Sequence, residues 1–242
     1  TGGRFYSEGP PLHGQDSVEI KQMTAKEEDM LTSRTLLKKG VALDRVIQSL
    51  IIDKRIDPDS LLVGDRNAII VAMRVSGYGG DYNTTVGCPA CGETQEHYFN
   101  LHEVGTYDGN DHGELSIKEL ENGTFETVLP KTKVTVVFRL LDGKDEKSLV
   151  TGMESDRKRK IPERAVTRQL ANTIVSANGD SSVEALEYLL LNIPSMDARH
   201  IRQCYKAAAP NVDLTQEFAC GECGHEQPME VPLSAEFFWP DR

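Results

Sequence analysis

Long apolar runs are missing from this chain of 242 residues. Runs such as Leu50-Ile51-Ile52 and Ile69-Ile70-Val71 fall far short of the ~20 apolar residues of a membrane-spanning helix. They suit buried helices, and no membrane partner is expected. No signal-peptide pattern is read at the start, so no leader is expected. Positive charge is also scarce: 27 Lys and Arg stand against 38 Asp and Glu, a net charge of -11. That disfavours an extended phosphate-binding surface and makes nucleic acid an unlikely partner, while still allowing a local basic patch. Signatures of catalysis are absent. There is no H-E-x-x-H, no G-x-S-x-G and no kinase-like set. Gly77-Tyr78-Gly79-Gly80-Asp81 lacks the Lys-Ser/Thr of a phosphate loop and leads into no expected helix. No enzyme activity and no small-molecule substrate are expected. What remains, 38% hydrophobic and 27% charged, describes a globular chain. It is long enough for a sizeable core in one elaborated domain or two small ones.

Cysteine is rare too, with five residues, but four of them are arranged. Cys88-Pro89-Ala90-Cys91-Gly92 and Cys220-Gly221-Glu222-Cys223-Gly224 are both C-x-x-C followed by Gly. That spacing turns two thiolates of one tight turn toward the same ion, and the Gly admits the positive φ the turn needs. A redox dithiol would sit at an exposed helix N-terminus; neither pair opens an expected helix. Cys88, Cys91, Cys220 and Cys223 are therefore expected to hold one structural Zn2+. A closed shell of four sulfurs leaves no position to activate water. His97 and His225 are expected to lie outside that shell. Cys204, in an apolar helical pattern, is expected to be a buried thiol.

The fold class expected is α+β: an N-terminal helical unit plus a four-cysteine zinc ribbon interrupted by a large α+β insertion. Residues 1–20 form an extended arm, either a loose tail or a strap that orders on a partner. Residues 21–80 form the helical unit. Thr24 and Glu27 make a capping box, and that helix is expected to run to Lys39 before Gly40. Leu43, Val46, Ile47, Leu50 and Ile51 mark one face of the next. A third, Arg66 to Val75, is expected to start on Asp65 and stop at Gly77. Strands flank each cysteine turn, so 81–101 and 212–236 are the ribbon halves. The insertion, 102–211, holds a hairpin (125–129 and 134–141) around Pro130-Lys131-Thr132. A helix capped by Asp142 follows, ending in Arg157-Lys158-Arg159-Lys160, and further helices are expected near 163–174, 183–192 and 197–208. Tyr188, Leu190, Leu191, Ile201 and Tyr205 supply their apolar positions. Residues 237–242 are an aromatic tail.

Three further features bear on function. Asp108 to Glu119 approaches the spacing of a calcium loop, with His112 where an oxygen ligand belongs and no helix leading in. An acidic surface loop is expected. The run Arg157 to Lys160 either complements a helix end and a partner's acids, or grips nucleic acid. Phe237-Phe238-Trp239 is either a plug on its own domain or an anchor in a partner's pocket. Candidate partner contacts are Leu43, Val46, Leu50, Ile69, Met73, Phe237, Phe238 and Trp239.

Several runs carry a family resemblance. Met23-Thr24-Ala25-Lys26-Glu27-Glu28-Asp29, Leu36-Leu37-Lys38-Lys39-Gly40, Ile56-Asp57-Pro58-Asp59 and Leu62-Val63-Gly64-Asp65-Arg66 resemble hub-assembly baseplate proteins of T-even-type contractile-tailed phages. So do Cys88-Pro89-Ala90-Cys91, Asn178-Gly179-Asp180, and the ending with Cys220, Cys223 and Phe237-Phe238-Trp239-Pro240. The likeness runs from about residue 20 onward. The arm at 1–20 and the basic run at 157–160 are not placed by it. It implies a structural or assembly component of the tail baseplate, in the virion and, during assembly, in the host cytoplasm. It implies other baseplate proteins, hub, tail-tube or wedge subunits, as partners. The alternative is a zinc-ribbon nucleic-acid-binding or transcription-related factor, favoured by the ribbon and the basic run and opposed by the net charge.

Overall fold

A computed structural model of the chain describes residues 1–9, 11–38, 40–233 and 237–238. Its helices in the first third are α1 (Ala25–Thr32), α2 (Arg34–Lys38), α3 (Ala42–Leu50) and α4 (Val63–Tyr78). The strands β1 (Asp81–Gly87), β2 (Thr94–Asn100), β3 (Gly105–Tyr107), β4 (Ile117–Glu119), β5 (Phe125–Val128) and β6 (Thr135–Phe138) follow. Then come α5 (Gly143–Lys158), α6 (Ala165–Thr173), β7 (Ile174–Ala177), α7 (Val183–Asn192) and α8 (Ser195–Ala208). β8 (Asn211–Asp213), β9 (Thr215–Ala219) and β10 (Glu226–Glu230) complete the set. The class is α+β. The chain folds as two compact units, each built from three separate stretches. Unit 1 takes Thr1–Val18, Asp53–Arg66 and Asp108–Asn211; unit 2 takes Glu19–Ile52, Asn67–Tyr107 and Val212–Arg242.

Unit 1 is centred on an antiparallel sheet of order β4-β5-β6-β7. The expected hairpin forms, with Phe125 opposite Phe138 and Val128 opposite Thr135. Alternation drives it: Phe125, Thr127, Val136 and Phe138 are buried, so one face of the pair enters the core. Leu129, Val136, Leu170, Ile174, Leu189 and Ile201 make one apolar cluster. Leu62, Phe125, Phe138, Leu140, Cys204 and Ala208 make a second. Asp142 caps α5 by accepting from the Lys144 and Asp145 N–H groups, and Asp145 returns the contact to the Asp142 N–H. The helix expected to reach residue 174 ends at Thr173, and β7 begins at once. Ile174 and Val175 are β-branched and favour the strand, which the Thr173 carbonyl ties to the Arg139 N–H at 2.9 Å. Helices α7 and α8 form as expected, yet Tyr188 and Leu191 are 72% and 83% exposed rather than core. Residues near the start lie against this unit. The Phe5 ring is 5.4 Å from Phe125. The Tyr6 hydroxyl donates to Asp65 at 2.7 Å and accepts the Leu62 N–H at 2.9 Å.

Unit 2 holds α1 to α3 and two long hairpins, β1–β2 and β9–β10. The capping box at Thr24 and Glu27 is present. Glu27 is buried, its carboxylate also accepting the Ser49 hydroxyl at 2.7 Å. The single helix expected from Thr24 to Lys39 is instead broken at Ser33, whose ψ of 109° is extended. Adjacent hydroxyl residues account for the break. Thr32 donates back to the Glu28 carbonyl at 3.0 Å, and Ser33 Oγ accepts the Leu36 N–H at 3.4 Å, restarting the helix. Helix α4 is longer at both ends than expected. Asp65 is occupied by Tyr6 rather than capping. Gly77 lies inside the helix, and the Met23 side chain packs where a Cβ would stand. The helix ends at Gly79, with φ of +82°. There the buried Arg74 guanidinium donates to the carbonyls of Gly79 (2.6 Å) and Asp81 (3.0 Å).

Candidate metal centre

The two cysteine turns are built alike. In the first, the Cys88 N–H donates to the Glu93 carbonyl at 2.8 Å and the Gly92 N–H returns to the Cys88 carbonyl at 2.9 Å. In the second, Cys220 N–H to His225 carbonyl is 2.9 Å and Gly224 N–H to Cys220 carbonyl is 3.0 Å. Gly92 and Gly224 have φ of +79° and +69°, the left-handed backbone that a Cβ disfavours. Each turn caps its hairpin: β1–β2 runs in register from Asp81–Asn100 to Gly87–Thr94, and β9–β10 from Glu230–Thr215 to Glu226–Ala219.

Tertiary contacts bring the turns together. Gln95 is the clamp, donating from Nε2 to the Ala219 carbonyl and accepting the Gly221 N–H, both at 2.9 Å. At the far end Gln216 pairs with both backbone groups of Asn100, at 3.0 and 2.8 Å. His97 lies between Phe99 and Phe218 at 4.6 and 5.3 Å. The four sulfurs then lie within 4.8 Å of one another. Cys88 to Cys223 and Cys91 to Cys220 are both 3.8 Å. Those distances exclude disulfides, whose sulfurs sit ~2.05 Å apart. A tetrahedral ion with metal–sulfur bonds of ~2.3 Å requires sulfur–sulfur edges of about 3.8 Å, so the donors fit such an ion. Cys88 and Cys220 are buried, and Cys91 and Cys223 face outward. The Cys91 N–H, followed by that of Ala90, holds the Cys88 thiol down to about 6. The Glu93 N–H favours the Cys91 thiolate, but burial and the adjoining sulfurs outweigh it and push that thiol up to about 12. Crowded thiols that resist losing further protons are what a bound cation relieves.

The other anticipated sites are placed as follows. His97 and His225 are not in the four-sulfur group; His225 Nε2 lies 3.2 Å from Gln227 Oε1. Val46, Leu50 and Met73 have no exposed surface and Ile69 has 7%, so these four belong to the core; Leu43 is half-buried. Phe237 is fully buried, edge-on to Tyr82 at 5.3 Å and to Phe238 at 5.0 Å, with the Arg74 guanidinium 5.9 Å from its ring. Trp239 lies outside the described residues. The stretch after Asp108 runs from strand β3 to strand β4, with no helix leading in; Gly113 N–H closes on Asp111 at 3.2 Å. In the basic run, Arg157 pairs with Glu163 at 3.1 Å and Lys158 with Glu154 at 4.0 Å. Cys204 is fully buried, its Sγ 3.4 Å from His200 Nε2, and burial pushes the thiol up.

Some residues that build the sites carried no signal in the sequence. Gln95 and Gln216 sit among other polar strand residues, Thr94-Gln95-Glu96 and Thr215-Gln216-Glu217, and their partners lie more than 100 positions away. Asp197 is fully buried and accepts the N–H groups of Lys131 (2.8 Å) and Thr132 (3.0 Å), fixing the β5–β6 turn. Its two partners lie 66 and 65 positions away in the chain.

Fold and cluster together define an α+β protein in which a closed set of four thiols joins two distant hairpins. Residues 10–239 match the family model described as T4 bacteriophage base plate protein. The chain belongs to that family and is a component of the phage tail baseplate. No curated protein and no solved structure matches it.

Proposed function

We propose that this protein joins hub, tube or wedge subunits of the contractile-tail baseplate, with one structural zinc ion held by Cys88, Cys91, Cys220 and Cys223. The observation that carries the reading is the four-sulfur cluster in a baseplate-family chain. Two hairpins, each closed by a glycine-bearing cysteine turn, make a zinc ribbon with the ion at its apex. The ion supplies a rigid link and no catalysis, because four sulfurs fill its shell. Gln95 and Gln216 orient the hairpins so that the sulfurs converge. The protein acts in the virion tail and meets its partners in the host cytoplasm during assembly. Its partner surfaces draw on Leu43 and on exposed residues. Val46, Leu50, Ile69 and Met73 hold the helical part together instead, and Phe237 and Phe238 close over Arg74 and Tyr82. Mass spectrometry of purified particles and assembly intermediates, with zinc quantification of the isolated protein, tests this. The expected result is the protein in tail baseplates or their precursors with one zinc per chain. Its absence from both, or a purified protein without zinc, refutes the reading.

A further inference from the structure

The two cysteine turns share a longer pattern than C-x-x-C-Gly. Each has a glutamine three places after the glycine: Gln95 after Gly92, and Gln227 after Gly224. Both glutamines lie on the second strand of their hairpin, β2 or β10, and both are half-buried. They are used differently. Gln227 stays with its own turn, its Oε1 lying 3.2 Å from His225 Nε2. Gln95 crosses to the other turn, where it donates to the Ala219 carbonyl and accepts the Gly221 N–H, both at 2.9 Å. Those two groups flank Cys220, one on each side.

One amide thus grips the main chain on both sides of a cysteine, which takes a donor and an acceptor at the end of one side chain. Both bonds are at the protein surface, where water can satisfy either backbone group. Water cannot supply a fixed distance from strand β2 to Cys220. The Cys91 and Cys220 sulfurs, from opposite turns, are 3.8 Å apart, and Gln95 stands four residues beyond Cys91. Removing the grip leaves all four sulfurs in the chain and frees the second turn to move against the first. The ion must then order that turn as it binds, at a cost in affinity. We propose, on the reading of the four cysteines as a zinc site, that Gln95 is the positioning residue that sets the metal affinity. It acts through the backbone around Cys220, and Gln227 has no such part.

Cobalt(II) titration of the purified, metal-free protein, followed by displacement with zinc, tests the assignment. Gln95→Met keeps the side-chain length and removes both hydrogen bonds. It is expected to weaken binding of either ion about 10–100-fold, the range for losing a group that orients a ligand. The absorption spectrum at saturating cobalt should stay that of four sulfurs in a tetrahedron. Gln95→Asn keeps the amide but is one methylene shorter, and should lose affinity as Gln95→Met does. Gln227→Met, at the matching place in the other hairpin, should bind as wild type. A purely structural role predicts instead a lower melting temperature for the metal-free Gln95 variants with unchanged affinity, and that result overturns the proposal. Equal losses for Gln95→Met and Gln227→Met also overturn it, since both would then report strand stability. If wild type and Gln95→Met bind alike, the zinc reading stands and the proposal alone falls. A wild type that takes up neither ion overturns both.

Discussion

Replacing Cys88 by serine removes one thiolate from a site whose halves are far apart in the chain. Cys88 and Cys223 are separated by 135 positions, and their sulfurs by 3.8 Å. A link across a loop of that length restricts the unfolded chain by about 5 kcal/mol on the chain-entropy argument used for covalent cross-links. The figure is a ceiling for a reversible metal link. It is comparable with the whole stability of an ordinary domain, about 5–15 kcal/mol. At roughly 2–4 °C per kcal/mol for a chain of this size, loss of the proposed ion should lower the melting temperature by roughly 10–20 °C. Calorimetry with metal quantification on the same sample measures both quantities. Hydrogen exchange should show the loss of protection concentrated in β1, β2, β9 and β10. Cys204→Ser is the control: Cys204 is buried but outside the cluster, so packing changes while metal content does not. A Cys88→Ser protein that holds no zinc and still melts within about 2 °C of wild type would refute the reasoning.

Three other outcomes are expected. Asp197→Ala strips two backbone N–H groups of their acceptor and should cost about 3 kcal/mol by urea unfolding; an unchanged midpoint would show that water replaces the carboxylate. Gly64→Ala puts a methyl group onto the Pro210 carbonyl oxygen, which is backbone, so a loss of about 1–3 kcal/mol is expected, and equal stability would show that the loop yields freely. Hydrogen bonds from Thr24 and then Ser49 hold the Glu27 carboxyl at about 2, below its ordinary 4.5. Its folded value lies below its unfolded one, so its contribution is full above about 4.5 and is lost as pH falls toward about 2. Glu27→Gln should flatten the stability profile in that window, and an unaltered acid limb argues against the linkage.

Local chemistry was legible wherever one residue answers its near neighbours. The capping boxes at Thr24 and Asp142 satisfy N–H groups within three positions. The β5–β6 hairpin follows from alternation across eight ladder residues. The cysteine turns announce themselves because C-x-x-C-Gly encodes its own backbone. Misreadings arose where a distant group intervened. Asp65 looked like a cap, but it meets the Tyr6 hydroxyl from 59 positions away. Tyr188 and Leu191 looked like core because periodicity reports apolarity and cannot report what lies opposite.

By itself the sequence determined the α+β class, the two metal-competent turns and a family likeness that the family match supports. These depend on spacings of a few residues and on motif identity. Only the tertiary structure decided that four sulfurs converge within 4.8 Å, and that the segment 108–211 between them belongs to a different unit from the hairpins on either side. Only it showed Val46, Leu50 and Met73 in the core and Tyr188 and Leu191 exposed. The physical reason is common to all of these. Burial and coordination are properties of groups brought together across a long chain, and neither partner's local pattern records the other.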